Sequence, residues 1–266
     1  ASVGWRLSEE NFWEPLNGWW DNAKVRFSYG SLGNQQVSNY SYIEEITTSN
    51  TMAYTFDGDA RANYARVSAP ISSALTWETV STYNFGLDAG FLNNRLNLVA
   101  DYFIRDTRDM LTPSLTLPSV YGASTPRENA ADLRTKGWEV QLSWRDRFDL
   151  AGKPFNYDVT ASLGDYVTTI TKFNNPDRLI ADYYEGQTLG EIWGYRVDGL
   201  FATDEEAAAY QEAIDDRAVN NRVYNSNFDN RLMAGDVKFR DLNGDNIISE
   251  GSGTVDDPGD KEIIGN

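Results

Sequence analysis

The chain contains no cysteine and no histidine. Without cysteine there is no disulfide framework and no thiolate metal site. Without histidine the usual general base, the usual zinc ligand and the serine–histidine nucleophile pair are all missing. Long apolar runs are missing as well: no stretch of ~18 apolar residues occurs, so there is no transmembrane helix. Basic residues are scarce, with 23 Lys and Arg against 40 Asp and Glu, a net charge of −17 over 266 residues. Such a surface repels phosphate backbones, which argues against a nucleic-acid partner. None of these absences excludes a membrane β-barrel, whose strands alternate and give a weak signal per segment.

What is abundant is aromatic: 13% of residues, with eight Trp and fifteen Tyr. A solvated carbohydrate-binding β-domain would show this, and so would a barrel with aromatic girdles. Five segments alternate with period 2. In 23–29, Val25, Phe27 and Tyr29 oppose Lys24, Arg26 and Ser28. In 82–90, Tyr83, Phe85, Leu87 and Ala89 oppose Asn84, Gly86 and Asp88. In 95–105, Leu96, Leu98, Ala100, Tyr102 and Ile104 share a face, with a mixed opposite face. In 137–145, Trp138, Val140, Leu142 and Trp144 oppose Glu139, Gln141 and Ser143. In 155–163, Phe155, Tyr157, Val159, Ala161 and Leu163 oppose Asn156, Asp158, Thr160 and Ser162. Alternation of this kind marks strands with one apolar face.

The links between segments alternate in length. Leu92-Asn93-Asn94 is a tight turn, where Asn tolerates positive φ. Residues 146–154, containing Ala151-Gly152-Lys153-Pro154, form a second short turn. The stretches 31–81, 106–136 and 164–266 read as long loops. Short turns at one end and long loops at the other give an up-and-down antiparallel sheet with the plan of an outer-membrane barrel. Trp144, Phe155 and Tyr157 flank the short turn, while Tyr83, Tyr102 and Trp138 lie towards the long-loop end. Two aromatic belts separated by Leu, Val and Ala match the two interfaces of a bilayer. Periodicity alone is equally compatible with a soluble β-sandwich.

One short helix is expected. Thr203-Asp204-Glu205-Glu206 is a capping box, followed by Ala207-Ala208-Ala209 and ending near Asp216. Its sequence is polar nearly all round, which places it on a loop surface. From Gly164 onward there are 21 acidic and 9 basic residues, so the last loop carries most of the negative charge. The opening Ala1-Ser2-Val3-Gly4-Trp5 lacks the basic and apolar regions of a signal peptide. Asn266 follows Ile263-Ile264-Gly265 without a closing element. Both ends read as cuts within a longer protein.

Asp241-Leu242-Asn243-Gly244-Asp245 places oxygen ligands at alternate positions ahead of Asn246-Ile247-Ile248, which resembles a calcium loop. Asp241, Asn243 and Asp245 are the candidate side-chain ligands for Ca2+, with the Ile247 carbonyl next. Position six is Asn246 instead of Gly, and position twelve is Ser252 instead of Glu, with Glu250 as a substitute. A turn held by Asx hydrogen bonds gives the same pattern. Carboxylate pairs for glycoside hydrolysis are nominally present, such as Glu185 with Glu191 or Asp198 with Asp204, but nothing in their spacing singles them out. Tyr29-Gly30-Ser31-Leu32-Gly33-Asn34 lacks the Lys-Ser/Thr of a phosphate-binding loop. The chain therefore does not read as an enzyme.

Several stretches resemble the SusC/RagA family of TonB-dependent outer-membrane transporters. They are Gly4-Trp5-Arg6-Leu7-Ser8-Glu9-Glu10-Asn11-Phe12 with Val25-Arg26-Phe27-Ser28-Tyr29-Gly30; Leu75-Thr76-Trp77-Glu78 with Asn84-Phe85-Gly86-Leu87-Asp88; and Asn93-Asn94-Arg95-Leu96 running to Asp109-Met110-Leu111. Asn129-Ala130, Lys136-Gly137-Trp138-Glu139, Gly190-Glu191-Ile192-Trp193-Gly194-Tyr195 and Asp241-Leu242-Asn243-Gly244-Asp245 follow in order. The resemblance implies a segment from the C-terminal half of a barrel of about 22 strands with a plugged lumen. It implies import of a glycan, an oligosaccharide or a peptide across the outer membrane, long loops facing outside. It also implies a SusD-like surface lipoprotein as lid, and energy from the TonB complex through a part of the protein absent here. Loop aromatics Tyr40, Tyr42, Tyr121, Tyr183, Tyr184 and Trp193 are the candidates for stacking on substrate, although Trp193 and Tyr195 also read as anchors of the loop's own core. The competing readings are a soluble β-sandwich glycan-binding module or adhesin, and a two-carboxylate hydrolase.

Overall fold

A computed structural model describes residues 1–34, 43, 45–49, 55–56, 60–61, 63–67, 75–113, 120, 125–219 and 231–266. Tyr40, Tyr42 and Tyr121 lie outside the described residues. The chain divides into two compact units, Ala1–Asn174 and Asn175–Asn266.

The first unit is built on one antiparallel sheet. Its strands are β1 (Ser2–Arg6) and β2 (Trp20–Asn34), then β7 (Glu78–Phe91), β8 (Leu96–Pro113), β9 (Arg127–Leu150) and β10 (Lys153–Lys172), paired in that order. Between β2 and β7 the short strands β3 (Ile46–Ser49) and β6 (Tyr64–Val67) pair, as do β4 (Thr55–Phe56) and β5 (Ala60–Arg61). Two tight turns fix the register at one end. Leu92, Asn93 and Asn94 all take left-handed φ of 57–59°. Ala151 and Gly152, at φ 51° and 77°, form a two-residue turn with both central residues left-handed, the hairpin geometry that matches strand twist.

Each expected strand is present and is longer than its alternating segment. The span expected as a loop over 106–136 holds only residues 114–126 between strands, because β8 and β9 stay paired out to Pro113↔Arg127. Likewise β10 continues through 164–172 against Asp132–Glu139. Apolar and polar residues fall on both faces of these extensions, as at Ala130-Ala131 and Tyr166-Val167, so period-2 alternation vanishes while backbone pairing continues. Strand β8 bulges near Asp109, whose φ is 57°. Asp132 accepts from the Asp109 amide at 2.8 Å, and the Asn129 amide group donates to the Asp109 carbonyl at 2.5 Å. Asn129 also exchanges hydrogen bonds with the backbone of Thr76 at 2.8 and 3.0 Å. One side chain thus ties the approach to β7, the bulge of β8 and strand β9.

Strand β1 had no place among the alternating segments. It pairs with β2 from Ser2↔Ser28 to Arg6↔Lys24. The link to β2 forms two 3-10 turns, Leu7–Glu9 and Asn11–Leu16.

The second unit, read from sequence as loop, has its own core. Strand β11 (Ile192–Tyr195) pairs with β14 (Lys261–Gly265), and β12 (Val197–Leu200) with β13 (Val237–Phe239). Helix α1 runs Asp204–Ala213. The Thr203 hydroxyl accepts from the Glu206 amide at 3.2 Å, as the capping box requires. Glu206 reaches back to the amide of Ala202 at 2.9 Å, one residue before the cap. The helix ends at Ala213, short of Asp216, and it is not wholly a surface helix. Ala207 and Tyr210 are buried against Phe201 and Leu232, and the Tyr210 hydroxyl donates to the Phe239 carbonyl at 2.8 Å.

Gly86 supplies a stability test for the sheet. A Cβ there would lie 2.5 Å from the Arg26 guanidinium carbon, which crosses β7 at this point. Gly86→Val in the complete protein should push Arg26 off Asp101 and lower the denaturant midpoint by the equivalent of about 1–2 kcal/mol. Gly30→Ala, with nothing within 4 Å, should leave it unchanged.

Candidate functional site

The sheet sorts its side chains by parity. Directly paired residues share a face, so register identifies the two surfaces. One rung runs Val3–Phe27–Phe85–Tyr102–Trp138, and the next runs Trp5–Val25–Leu87–Ala100–Val140–Leu163. Further rungs add Ala89–Leu98–Leu142–Ala161 and Phe91–Leu96–Trp144–Val159. This broad apolar face is open: Val159 is 61% exposed and Leu163 69% exposed. A soluble sandwich would bury such residues under a second sheet.

Aromatic rings mark its two ends. Towards the long links, Tyr29 and Tyr83 have ring centroids 4.9 Å apart. Beside the Ala151-Gly152 turn, Phe148 and Phe155 lie 5.2 Å apart, and the Trp144 indole donates to the Tyr157 hydroxyl at 3.1 Å. On β8, β9 and β10 charge closes the face towards the long links, and that boundary is a staircase; on β2 and β7 the face ends in Ser31, Gly33, Ser81 and Thr79. On this face the first charged residue is Asp106 on β8, then Lys136 on β9, one rung lower, then Asp165 on β10, one rung lower again. A rung is two residues, ~6.6 Å, and strands lie ~4.8 Å apart, so the boundary crosses the strands at a tilt of roughly 50°, close to the ~45° of membrane-spanning strands.

The opposite face carries ions. Arg26 donates to both carboxylate oxygens of Asp88 at 2.9–3.1 Å and to Asp101 at 3.0 Å, joining β2, β7 and β8. Gly86 lies between Arg26 and Asp101 on the same rung, and its lack of a side chain gives the guanidinium its path. At the short-turn end Arg145 pairs with Asp158 at 3.2 Å. These residues, with Arg95, Arg147 and Tyr157, line a concavity of about 610 Å³.

In the second unit the three aromatic candidates separate. Tyr184 is buried at 3% exposure. Its hydroxyl and the Trp193 indole both donate to the Glu191 carboxylate, the indole at 2.7 Å. The Arg178 guanidinium lies 5.6 Å over the Tyr184 ring. Tyr184, Glu191 and Trp193 are therefore a structural knot. Asp198 is held by Arg240 at 2.7 Å, and Asp204 accepts from the Ala234 amide at 2.8 Å. Tyr183 differs, being half exposed.

The Asp241–Asp245 loop is a set of Asx turns. Asp241 accepts from the amides of Gly244 and Asn246 at 2.7 and 2.8 Å. Asn243 turns onto Asp245, accepting from its amide at 2.9 Å and donating to its carboxylate at 3.0 Å. The third acid beside Asp241 and Asp245 is Asp260, with carboxylate oxygens of all three within 4.8 Å. Asp260 is fully buried and accepts from the amides of Leu242 and Ser249 at 2.7 and 2.9 Å. Glu250, the substitute ligand suggested by sequence, is instead paired with Lys261 at 2.7 Å. Three hard carboxylates suit an oxygen-seeking divalent cation. Asp260 carried no sequence signal, because it joins the loop from the position just before β14.

The family described as TonB dependent receptor-like, β-barrel, matches residues 1–202. A TonB-dependent receptor of Formosa agariphila is 26% identical over 99% of this chain and 26% of its own length. The TonB-dependent receptor SusC of Bacteroides thetaiotaomicron is 30% identical over 69% of this chain and 18% of its own. The chain thus spans about a quarter or less of the length of these relatives. Among solved structures, the RagAB peptide importer in its closed-closed state matches with a TM-score of 0.60 and 25% identity over 75% of this chain and 21% of that one. The same importer in its open-open state matches with a TM-score of 0.57.

Two buried phenols give the second unit a pH signature. Burial pushes Tyr184 up to about 12, aided by its bond to Glu191. Burial likewise pushes Tyr210 up to about 12, with Asp216 adding to it. An unfolded tyrosine ionises near ~10. Between those values the folded unit keeps protons that the unfolded chain has released. Its stability is therefore full below pH ~10 and is lost as pH rises through ~12. Tyr184→Phe and Tyr210→Phe should each flatten that loss, read from near-UV circular dichroism melts across the window. An unchanged slope in both variants would contradict the assignment.

Proposed function

Because the chain belongs to the TonB-dependent receptor β-barrel family, we propose that its six-stranded sheet is one part of a ~22-stranded outer-membrane barrel that imports a glycan, an oligosaccharide or a peptide. The observation that carries this reading is the open apolar face with its tilted, charged limit. Lipid covers that face, and the Arg26–Asp88–Asp101 face lines the lumen. The unpaired edges of β1 and β10 are viable in a bilayer only when further strands pair with them. Those strands belong to the remainder of a receptor several times longer than this segment.

The long links and the second unit face outside, where a SusD-like surface lipoprotein closes over them. RagAB, the structural neighbour, is a peptide importer. The resemblance of the sequence to the SusC/RagA family adds glycans and oligosaccharides to the proposed cargo classes. Energy comes from the TonB complex through a part of the receptor outside this segment. Tyr183, half exposed, is the aromatic proposed to stack on cargo, while Tyr184 and Trp193 hold the unit's own core. Single cysteines at Leu98, Tyr157 and Ser252 of the complete receptor test the topology in intact cells. A membrane-impermeant thiol reagent should reach position 252 and neither of the others. Labelling of all three, or recovery of the receptor in the soluble fraction, would overturn the reading.

Asp241, Asp245 and Asp260 further suggest a structural Ca2+ site in the outer unit. The ion would offset repulsion among three carboxylates and lock β13 to β14 through the loop. Calcium at a hundredfold excess over its dissociation constant should then stabilise the unit by about 2.7 kcal/mol. Asp260→Asn and the milder, exposed Asp245→Asn should both abolish the calcium-dependent shift in unfolding midpoint. No shift in the parent protein would leave the loop as Asx turns alone.

A further inference from the structure

At the short-turn end, two of the links are minimal, 92–95 and 151–152, but the link from β1 to β2 spans residues 7–19. It does not hang free of the sheet. Its first 3-10 turn packs on β2, and Trp13 is buried with its indole donating to the Trp20 carbonyl at 3.0 Å. Six rings form a continuous chain along it. Trp5 meets Phe12 at 6.3 Å, Phe12 meets Trp13 at 6.3 Å, and Trp13 meets Trp20 at 4.7 Å. Trp20 stacks on Phe91 at 5.2 Å, and Trp19 closes on Phe91 at 5.7 Å.

Register fixes the side on which this cluster lies. Trp5 is paired with Val25, and Trp20 with Phe91, so both belong to the apolar face. Ala23 and Ala89, on the same face, are buried, although Phe27 and Phe85 beyond them are open. The small residues lie at the end of the face where the link packs on β2. The outer rings of the cluster are not buried by the protein: Trp5, Phe12 and Trp19 are 51%, 60% and 59% exposed. Interleaved with them are the exposed polar residues Glu9, Glu10, Asn11, Glu14 and Asn17. Glu10 accepts from the Trp5 indole at 2.9 Å.

We propose that residues 7–19 are an interfacial anchor that lies in the headgroup region of the leaflet at the short-turn end, in contact with zwitterionic phospholipid. The proposal rests on the barrel reading above, since it continues the lipid-facing surface of the sheet. Exposed indoles that carry a polar N–H beside an apolar ring favour that boundary. A short amphipathic segment in the interface plane, apolar side inward and carboxylates outward, gains from both phases. Three carboxylates against Arg6 alone argue for a neutral headgroup over an anionic one.

The chain has no cysteine, which makes a site-specific probe direct. In the complete receptor, with any cysteines elsewhere replaced, a bimane fluorophore is placed on Phe12→Cys, Trp19→Cys or Leu87→Cys. Each is reconstituted in phosphatidylcholine vesicles carrying nitroxide lipids. A nitroxide near the headgroup should quench positions 12 and 19 about twofold more than one deep in the acyl chain, with little quenching by aqueous iodide. Position 87, mid-strand on the apolar face, should show the reverse depth preference. Replacing part of the phosphatidylcholine with phosphatidylglycerol should reduce lipid quenching at position 12. Lipid quenching at 87 together with iodide quenching at 12 and 19 would overturn the anchor and leave the barrel standing. Loss of lipid quenching at 87 would overturn the barrel reading and the anchor with it.

Discussion

A chain that crosses hydrocarbon has to satisfy every backbone N–H and C=O from within, and the pairing of β1, β2 and β7 through β10 is that requirement made visible. Everything else in the first unit follows from the parity that this pairing imposes. Once Phe27 is set opposite Phe85 and Phe85 opposite Tyr102, Arg26 and Asp101 must share the other face. A slip of one residue on a central strand would carry an ionised side chain onto the apolar face and an aromatic ring onto the ionic one. Register in such a sheet is held by solvent as much as by hydrogen bonds.

The Arg26 cluster adds a second lock on that register. Ion pairs contribute little to stability where water reaches them, and Arg26, Asp88 and Asp101 are only partly covered. Their value lies in specificity. The guanidinium bonds to strands on both sides of its path only because Gly86 leaves the space and because three registers coincide. Shifting β7 alone would put the Asn84 or Asp88 side chain in the way and separate Arg26 from Asp101. The glycine and the ions are thus one device.

The legibility of this protein in its sequence follows the same physics. Where one face of a strand is uniformly apolar, as in Val25-Phe27-Tyr29 or Leu98-Ala100-Tyr102, alternation was plain. At Thr107–Pro113, Arg127–Lys136 and 164–172 apolar and polar residues fall on both faces, so the pairing persisted without a pattern to announce it. Strand β1 offers only Val3 and Trp5 on the apolar face, too few to show a period. The helix was marked by Thr203 and Glu206, since caps are local. Its buried side was not, because Phe201 and Leu232 reach Ala207 and Tyr210 only after the chain has folded. Asp241 and Asp245 announced the acidic loop, but Asp260 belongs to it through space alone. Glu250 was the natural guess from spacing and is drawn away by Lys261.

The acidic tail of the chain is best understood through that last contrast. A solvated loop would carry its charge on a loose backbone, and ordering it around a cargo would cost conformational entropy at the moment of binding. The described residues of 175–266 instead bury Phe201, Ala207, Tyr210, Leu232 and Ile248, tie Tyr184 to Glu191 and Trp193, and pin Asp260 between two backbone amides. The order is in place before any ligand arrives. Residues that look like binding aromatics in the sequence, Tyr184 and Trp193, are occupied in producing it. If this unit forms part of the outer rim, as proposed above, such prior order favours recognition of cargo by shape over adaptation to it.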